Sequence, residues 1–344
     1  MATFLGIDYP TLWFLVVGAV FSGYAILDGF DLGAGALHLF FKKDESRRIA
    51  LNAVGPVWDG NEVWLVIGGG TLFAGFPVLY ATLFSAMYIP FMLFLLFIIL
   101  RAISIEFRSK EPMRWWRRGW DFIYSFSSIL LAFLLGVVLG NVLLGFPLDE
   151  QYEFIGSGWQ FLNPYALLTG LTTLALMTMH GGIYLCLKTE GRLFDKVERL
   201  LKRAIIAFVI LFALVSIYTL IYIPHLSDDF RSNPVLFVIP ALALLSIANI
   251  PRLVNKQRFK AAFIFSALTI SFSLVLAAIE LYPTLLFATN DLQNSIDVYN
   301  AAASEKSLGI MLVFVVIGVP LVLAYTYIVY RTFWGKVKMD ETSY

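Results

Sequence analysis

The sequence is poor in charged residues, cysteine and histidine, and each shortage excludes a class of protein. Only 14% of its 344 residues are charged and 59% are hydrophobic, whereas a soluble domain has about 25% charged residues. The composition therefore predicts a polytopic membrane protein and gives no indication of nucleic-acid binding. Cys186 alone cannot form an internal disulfide or a cysteine-rich metal cluster. The three histidines, His38, His180 and His225, are too few and too scattered to indicate a zinc or multi-haem site.

Nine apolar runs are long enough, at about 20 residues, to cross the hydrocarbon core as helices. They cover residues 11–41, 49–76, 78–101, 121–146, 162–187, 204–224, 234–251, 261–289 and 308–331. The predicted fold class is an all-α polytopic membrane protein with nine transmembrane helices. We expect two four-helix bundles, residues 1–146 and 147–289, followed by a ninth, peripheral transmembrane helix with a cytoplasmic tail, residues 290–344.

Basic residues lie at alternate ends of these runs. Of the 25 lysines and arginines, 23 fall in the stretches 42–48, 101–118, 188–203, 252–260 and 331–338. Because short cytoplasmic loops are enriched in Lys and Arg, the N-terminus is predicted outside and the C-terminus in the cytoplasm. The loops are short, so we expect no extramembrane catalytic domain. The first run has no basic segment before it and is long, so we expect no cleavable signal peptide.

Four carboxylates interrupt the first two apolar runs. Asp28 and Asp31 lie in the first run, Asp59 and Glu62 in the second, and both sets are equally distant from residue 45. A helical hairpin turning there places Asp31 level with Asp59 and Asp28 level with Glu62, roughly 20–25 Å from the turn. Each pair is spaced i,i+3, so each pair occupies one helix face. The spacing therefore predicts a four-acid site.

An ionisable group at membrane depth is costly and indicates function. Because burial disfavours the charged form of a carboxyl group, the four acids could exchange protons and form a ladder from the cytoplasm. The alternative is structural, with the acids capping broken helices or pairing with Arg101. Trp58 and Trp64 could bond to carboxylates or simply pack, and Asn61 could satisfy a polar neighbour.

Other polar residues in the runs have open interpretations. Arg101 either snorkels to the cytoplasmic surface or pairs with an acid of the hairpin. His180 is either a haem ligand or, as we favour, an interhelical hydrogen-bond partner. His38 is expected at the cytoplasmic interface. Glu280 is either a second relay or a polar group facing a partner.

Several motifs resemble subunit II of the cytochrome bd quinol oxidases. The most specific ones form its first hairpin, and they are Asp28–Gly33, Pro56–Trp64 and Gly68–Ala74. Supporting matches lie further along the chain, at Phe107–Lys110, Gly140–Asn141, Phe161–Pro164, Tyr282–Pro283 and Tyr299–Ala301. The sequence differs from the family pattern at Thr284–Ala288 and in the short outer loop around 225–233.

The resemblance implies a haem-free accessory subunit of a quinol:oxygen oxidoreductase, a terminal oxidase of the bacterial cytoplasmic (inner) membrane. Two b-type haems, haem d and the quinol-oxidising loop would belong to the partner, subunit I, and quinol would be the substrate of the complex. No cofactor or metal is expected to bind this chain directly, and the chain alone is not expected to be catalytic. A structural quinone, a small single-span subunit and membrane lipid are further candidate partners.

The resemblance also implies residue roles. The proton path would use Trp58, Asp59 and Asp31, with support from Asp28. Glu62 is the weakest member because some relatives have Gln there. The resemblance links Trp64 to an oxygen path. It links Arg101 and Asp31 to haem assembly or activity. Asn61 is expected to support the site through its side-chain amide, independently of the resemblance.

Two other functions remain open at this stage. A proton-coupled secondary transporter would also need intramembrane acids and broken helices, although the later runs contain no substrate-sized polar cluster. A purely structural scaffold would need none of the four acids for activity.

The charge distribution predicts which ends of the helices lie in the cytoplasm and which lie outside. Green fluorescent protein fused after residue 344 should fluoresce, because the C-terminus is cytoplasmic, and alkaline phosphatase fused there should be inactive. The matched control is the same pair of reporters fused after residue 150, where the activities should be reversed. Active phosphatase at the C-terminus would contradict the orientation.

Overall fold

A computed structural model describes residues 3–223 and 233–338. His225 and the outer loop predicted around 225–233 lie outside the described residues, apart from Asn233. The described chain is almost entirely helical. Its α-helices are α1 (Tyr9–His38), α2 (Asp44–Val54), α3 (Trp58–Gly75), α4 (Pro77–Ala86), α5 (Tyr88–Phe107), α6 (Arg114–Leu144), α7 (Pro164–Lys188), α8 (Gly191–Tyr222), α9 (Val238–Asn255), α10 (Phe259–Leu281) and α11 (Glu305–Thr332).

Polar side chains begin several of the long helices. The Asp8 carboxylate accepts a hydrogen bond from the Thr11 amide at 2.9 Å at the start of α1. The Asn163 side chain accepts one from the Ala166 amide at 2.8 Å at the start of α7, where Pro164 occupies the first helical position. These caps satisfy amides that have no partner within the helix.

The second and third apolar runs are less regular than a simple helical hairpin. Residues 49–54 belong to α2, which ends before a break at Gly55–Val57. Residues 77–86 form α4, which is bent by 119° from α3. The predicted bounds 49–76 and 78–101 are therefore wrong at these positions. Pro56 and Pro77 lack the amide hydrogen that a continuous helix needs at such points.

The number of crossings nevertheless agrees with the prediction. Eight described helices are long and apolar enough to span a membrane, and the bent α3–α4 pair can supply a ninth crossing. Short antiparallel ladders join residues at the outer ends of the helices, β1 (Thr3–Phe4) with β2 (Ile7–Asp8) and β3 (Thr284–Leu286) with β4 (Ile296–Asp297).

Helices α1 and α7 cross at the centre of the fold. A Cβ atom at Gly33 would collide with the Met177 carbonyl, and one at Gly181 would collide with the backbone of Ala34. Small residues allow this close backbone approach in membranes. Because α1 and α7 fall in different predicted bundles, the core extends across that boundary, and the division into two bundles remains a prediction.

Helix α11 lies at the edge of the described structure. It packs against α1 and α3, and only 11% of its most apolar stretch is buried. This placement agrees with the peripheral ninth helix of the predicted fold. Most of its surface is therefore available to lipid or to a partner subunit.

The close contact between α1 and α7 predicts that substitution by alanine lowers stability at one glycine of α1 and not at another. Gly33→Ala should destabilise the protein by about 1–3 kcal/mol, because the added methyl group overpacks the contact with α7. Gly18→Ala is the control, since nothing lies within 4 Å of the Cβ position there. Thermal unfolding of the purified complex measures both. Equal unfolding temperatures for the two variants would contradict the crossing.

Candidate functional site

A buried arginine of α5 holds two acids of the first hairpin. The Arg101 side chain is 1% exposed. Its Nη1 donates to Asp28 Oδ2 at 2.9 Å, and its Nη2 donates to Asp28 Oδ1 at 2.5 Å. Nη2 also donates to Glu62 Oε2 at 3.2 Å. The bidentate arrangement gives the Asp28 carboxylate a fixed orientation.

This geometry confirms that Asp28 and Glu62 lie at one level, since Arg101 reaches both. The snorkelling alternative for Arg101 is wrong, and the pairing alternative is confirmed. The physical reason is that Asp28 is also 1% exposed, and a buried carboxylate needs a cation and hydrogen bonds to offset its desolvation. The ion pair joins Asp28 of α1 to Arg101 of α5.

Asp31 has a different partner from the one that its spacing predicts. Its Oδ2 accepts a hydrogen bond from Asn61 Nδ2 at 2.7 Å. Asn61 Oδ1 in turn accepts one from the Tyr330 hydroxyl of α11 at 2.9 Å. Asn61 therefore does satisfy a polar neighbour. Asp31 Oδ1 is buried and has no partner among the described residues, which leaves it able to bond to water.

Asp59 lies at the exposed end of the site. It lies in the first turn of α3 with its side chain exposed, while Trp58, the first residue of the helix, is buried. Trp58 packs with Leu51 and Tyr124. Glu62 lies one turn deeper than Asp59 on the same helix face, and its side chain is 19% exposed. The acids therefore form a graded series from the surface to the buried Arg101.

Trp64 borders a separate apolar cavity between α1, α3 and α11. The cavity has a volume of about 220 Å³. Its lining consists almost wholly of apolar side chains, including Val16, Val20, Trp64, Phe314 and Val319. No charged side chain is among its lining residues, so it suits a small apolar molecule better than a proton.

A second ionic cluster lies at the cytoplasmic end of α1 and α6. The buried Asp121 carboxylate lies 2.6 Å from His38 Nε2, 2.8 Å from Arg47 Nη1 and 2.6 Å from Arg108 Nε. Arg108 also reaches Asp44 at 2.7 Å. The His38 ring is 1% exposed within this cluster, and the interfacial position predicted for it remains a prediction.

Sequence reasoning missed Asp121 altogether. A signal was present, since Asp121 is the one acid at the start of a long apolar run and follows a strongly basic stretch. The cluster joins the end of α1 and the first turn of α2 to the end of α5 and to α6.

His180 does not fit as a haem ligand. His180 Nδ1 lies 2.7 Å from Ser266 Oγ, and its Nε2 lies 3.0 Å from the Ile26 carbonyl. Both ring nitrogens are thus taken by other helices, and the interhelical hydrogen-bond interpretation is confirmed. In the described ranges, no three His, Cys, Asp or Glu side chains are grouped as a metal site.

Comparison with known proteins decides the family. The model of the family described as cytochrome bd terminal oxidase subunit II matches residues 9–333. The chain belongs to this family. The resemblance inferred from the first hairpin is thereby confirmed over nearly the whole length.

Individual relatives match this subunit II chain over most of their own length. "Cytochrome bd-I ubiquinol oxidase subunit 2" of Escherichia coli K12 is 30% identical over 97% of both chains. "Probable cytochrome oxidase subunit 2" of Haemophilus influenzae is 32% identical over 96% of both. The solved bd oxidase from Geobacillus thermodenitrificans has the same fold, with a TM-score of 0.79 and 19% identity over 94% of this chain and 98% of that one.

Family membership identifies the complex and the membrane to which the site belongs. The chain is a subunit of a cytochrome bd oxidase, an oxidoreductase complex of the respiratory chain, in the bacterial inner membrane. The name subunit II implies a partner in the complex, subunit I, and the family implies that the haems lie in that partner.

The buried ion pair predicts a large loss of stability when one member is removed. Arg101→Gln should destabilise the complex by about 3–5 kcal/mol, because Asp28 stays buried without its cation. The double variant Asp28→Asn, Arg101→Gln should recover part of the loss. Thermal unfolding and haem content of the purified complex measure both.

The control for this prediction is Arg114→Gln, which changes an exposed arginine at the start of α6. It should leave the unfolding temperature unchanged. A wild-type unfolding temperature for Arg101→Gln would show that Asp28 does not depend on this partner.

Proposed function

We propose that this subunit stabilises the haem-bearing subunit I and carries protons from the cytoplasm towards the oxygen-reducing haem of that partner. The observation that supports the proposal most is the graded series from exposed Asp59, through half-buried Glu62, to the buried Arg101–Asp28 pair. A path for protons needs such a connection between the cytoplasmic surface and the membrane interior.

The acids have separate tasks in this proposal. Asp59 collects protons at the surface, and Glu62 takes them one turn deeper. Arg101 and Asp28 position Glu62 through the 3.2 Å contact of the guanidinium with its carboxylate. Asp31, held by Asn61 on one oxygen only, offers its second oxygen to a hydrogen-bonded chain of water.

Trp58 supports the path by packing. Its ring closes the space between the break before α3 and Tyr124, which orients the first turn of α3 and therefore the Asp59 side chain. We further propose that the cavity beside Trp64 admits oxygen from the membrane, because its apolar lining suits a small apolar gas.

The remaining partners follow from the setting in a quinol oxidase. We propose that quinol is the substrate of the whole complex and that charge separation comes from cytoplasmic proton uptake. The exposed face of α11 and the other lipid-facing helices suit membrane lipid or a small single-span subunit. A visible spectrum and the subunit composition of the purified complex would establish the haems, a bound quinone and any such subunit.

A purely structural role is favoured for one acid by a specific observation. The bidentate pair of Asp28 with Arg101 is what a scaffold needs. That observation applies to Asp28 alone, because Asp59 is exposed and Glu62 makes a single longer contact.

The proposed path predicts that Asp59→Asn slows oxygen reduction. Removing the surface carboxylate should lower turnover by roughly a hundredfold or more, as loss of a proton-transfer group typically does, while haem content stays unchanged. Oxygen consumption with excess quinol measures turnover, and the visible spectrum measures haem.

The control for Asp59 is Asp195→Asn, which changes another exposed acid on the cytoplasmic side, at the start of α8. Its turnover should equal that of the wild type. Unchanged turnover in Asp59→Asn at normal haem content would exclude Asp59 from the path. A colourless, stable, lone chain with transport activity would instead support a proton-coupled transporter.

A further inference from the structure

A wide groove lies at the cytoplasmic end of the helices. Its residues come much later in the sequence than the four acids of the first hairpin. Its volume is about 700 Å³. The last turn of α7, the start of α8, the turn between α9 and α10 and the segment after α11 enclose it. Its lining residues are Cys186, Leu187, Phe194, Gln257–Ala261 and Trp334–Lys336.

The groove combines an apolar wall with a basic rim. Phe194 and Phe259 meet edge to face at 5.4 Å and form the wall. Arg258, Lys260 and Lys336 provide three positive charges. No acidic residue is among the lining residues, so the charge of this surface is unbalanced.

The segment after α11 is held against α7 as one side of the groove. Lys336 Nζ donates to the carbonyls of Cys186 and Thr189 at 3.0 and 2.7 Å. The Val337 amide donates to the Lys188 carbonyl at 2.9 Å. Lys260 Nζ lies 5.0 Å from the centre of the Trp334 ring. The groove is therefore preformed, and contacts within the protein hold two of its three cations, Lys260 and Lys336.

In the described residues, the positive charges of the groove are not paired with acidic side chains. In the part of the chain that the structure describes, Arg258, Lys260 and Lys336 form no salt bridge. The neighbouring Glu198 is engaged by Gln257 at 3.0 Å and by Lys202 at 2.8 Å. The groove thus presents unpaired cations beside an aromatic wall.

We propose that this groove binds an anionic phospholipid of the cytoplasmic leaflet. Arg258 and Lys260 would contact the headgroup phosphate, and the aromatic wall would contact the glycerol and the first methylene groups of an acyl chain. Basic pockets between membrane helices on the cytoplasmic side recognise such headgroups, and tryptophan favours this depth of the membrane.

The aromatic wall of the groove distinguishes a phospholipid from a free phosphate ion as its ligand. A free phosphate ion would use the cations but gain nothing from Phe194, Phe259 and Trp334. A phospholipid uses both parts, because its phosphate and its hydrocarbon are joined. This inference is independent of the proton path, since none of the groove residues belongs to it.

The test uses the whole purified complex in nanodiscs. A phosphatidylglycerol with a photoreactive group on its acyl chain is added, and labelled peptides are mapped by mass spectrometry. In the wild type the label should fall on peptides that contain 186–194, 257–261 or 333–336. The double variant Arg258→Gln, Lys260→Gln should lose this label and bind roughly ten- to thirtyfold more weakly, as two missing cations near a phosphate predict.

The matched control is Arg114→Gln, Arg118→Gln, which removes two exposed cytoplasmic arginines outside the groove. It should keep the label at the groove. Equal labelling by phosphatidylcholine, or label retained in the groove variant, would overturn the proposal. Competition by millimolar inorganic phosphate would also overturn it and would identify a small-anion site.

Discussion

The contact between Arg101 and Asp28 is the constraint on which the site depends. Both side chains are almost wholly removed from solvent, and such burial is tolerated only when charge and hydrogen bonds are closely matched. The pair joins α1 to α5, and the second bond to Glu62 adds α3. Three helices are thereby fixed at one depth, and the other acids take their positions relative to that point.

Around this point, four similar carboxylates have four different surroundings. Asp28 is paired, Glu62 shares the same arginine while remaining half-buried, Asp31 bonds to an amide, and Asp59 faces outwards. The same carboxyl group is therefore held by a cation at Asp28 and exposed to solvent at Asp59. Burial and partner, more than residue type, distinguish the four acids.

The sequence allowed the level of Asp28 and Glu62 to be predicted, because the two acids are equally distant from residue 45 and helical rise relates that distance to depth. The orientation and approximate number of crossings followed from charge and hydropathy, and the motifs of the first hairpin indicated the family. The pairing of Arg101 was only one of two alternatives, and the Asp121 cluster was missed. Both depend on how α5 and α6 lie against α1, and no local pattern records the relative position of distant helices.

The bond from Tyr330 to Asn61 has a consequence for the order of biosynthesis. Asn61 holds Asp31 of the first helix, but its own partner lies near the end of the last helix. During synthesis, α1 and α3 enter the membrane long before α11 exists. The hydrogen bonding around Asp31 therefore becomes complete only after the final helix has been inserted, so a truncated chain keeps its early helices but not a finished site.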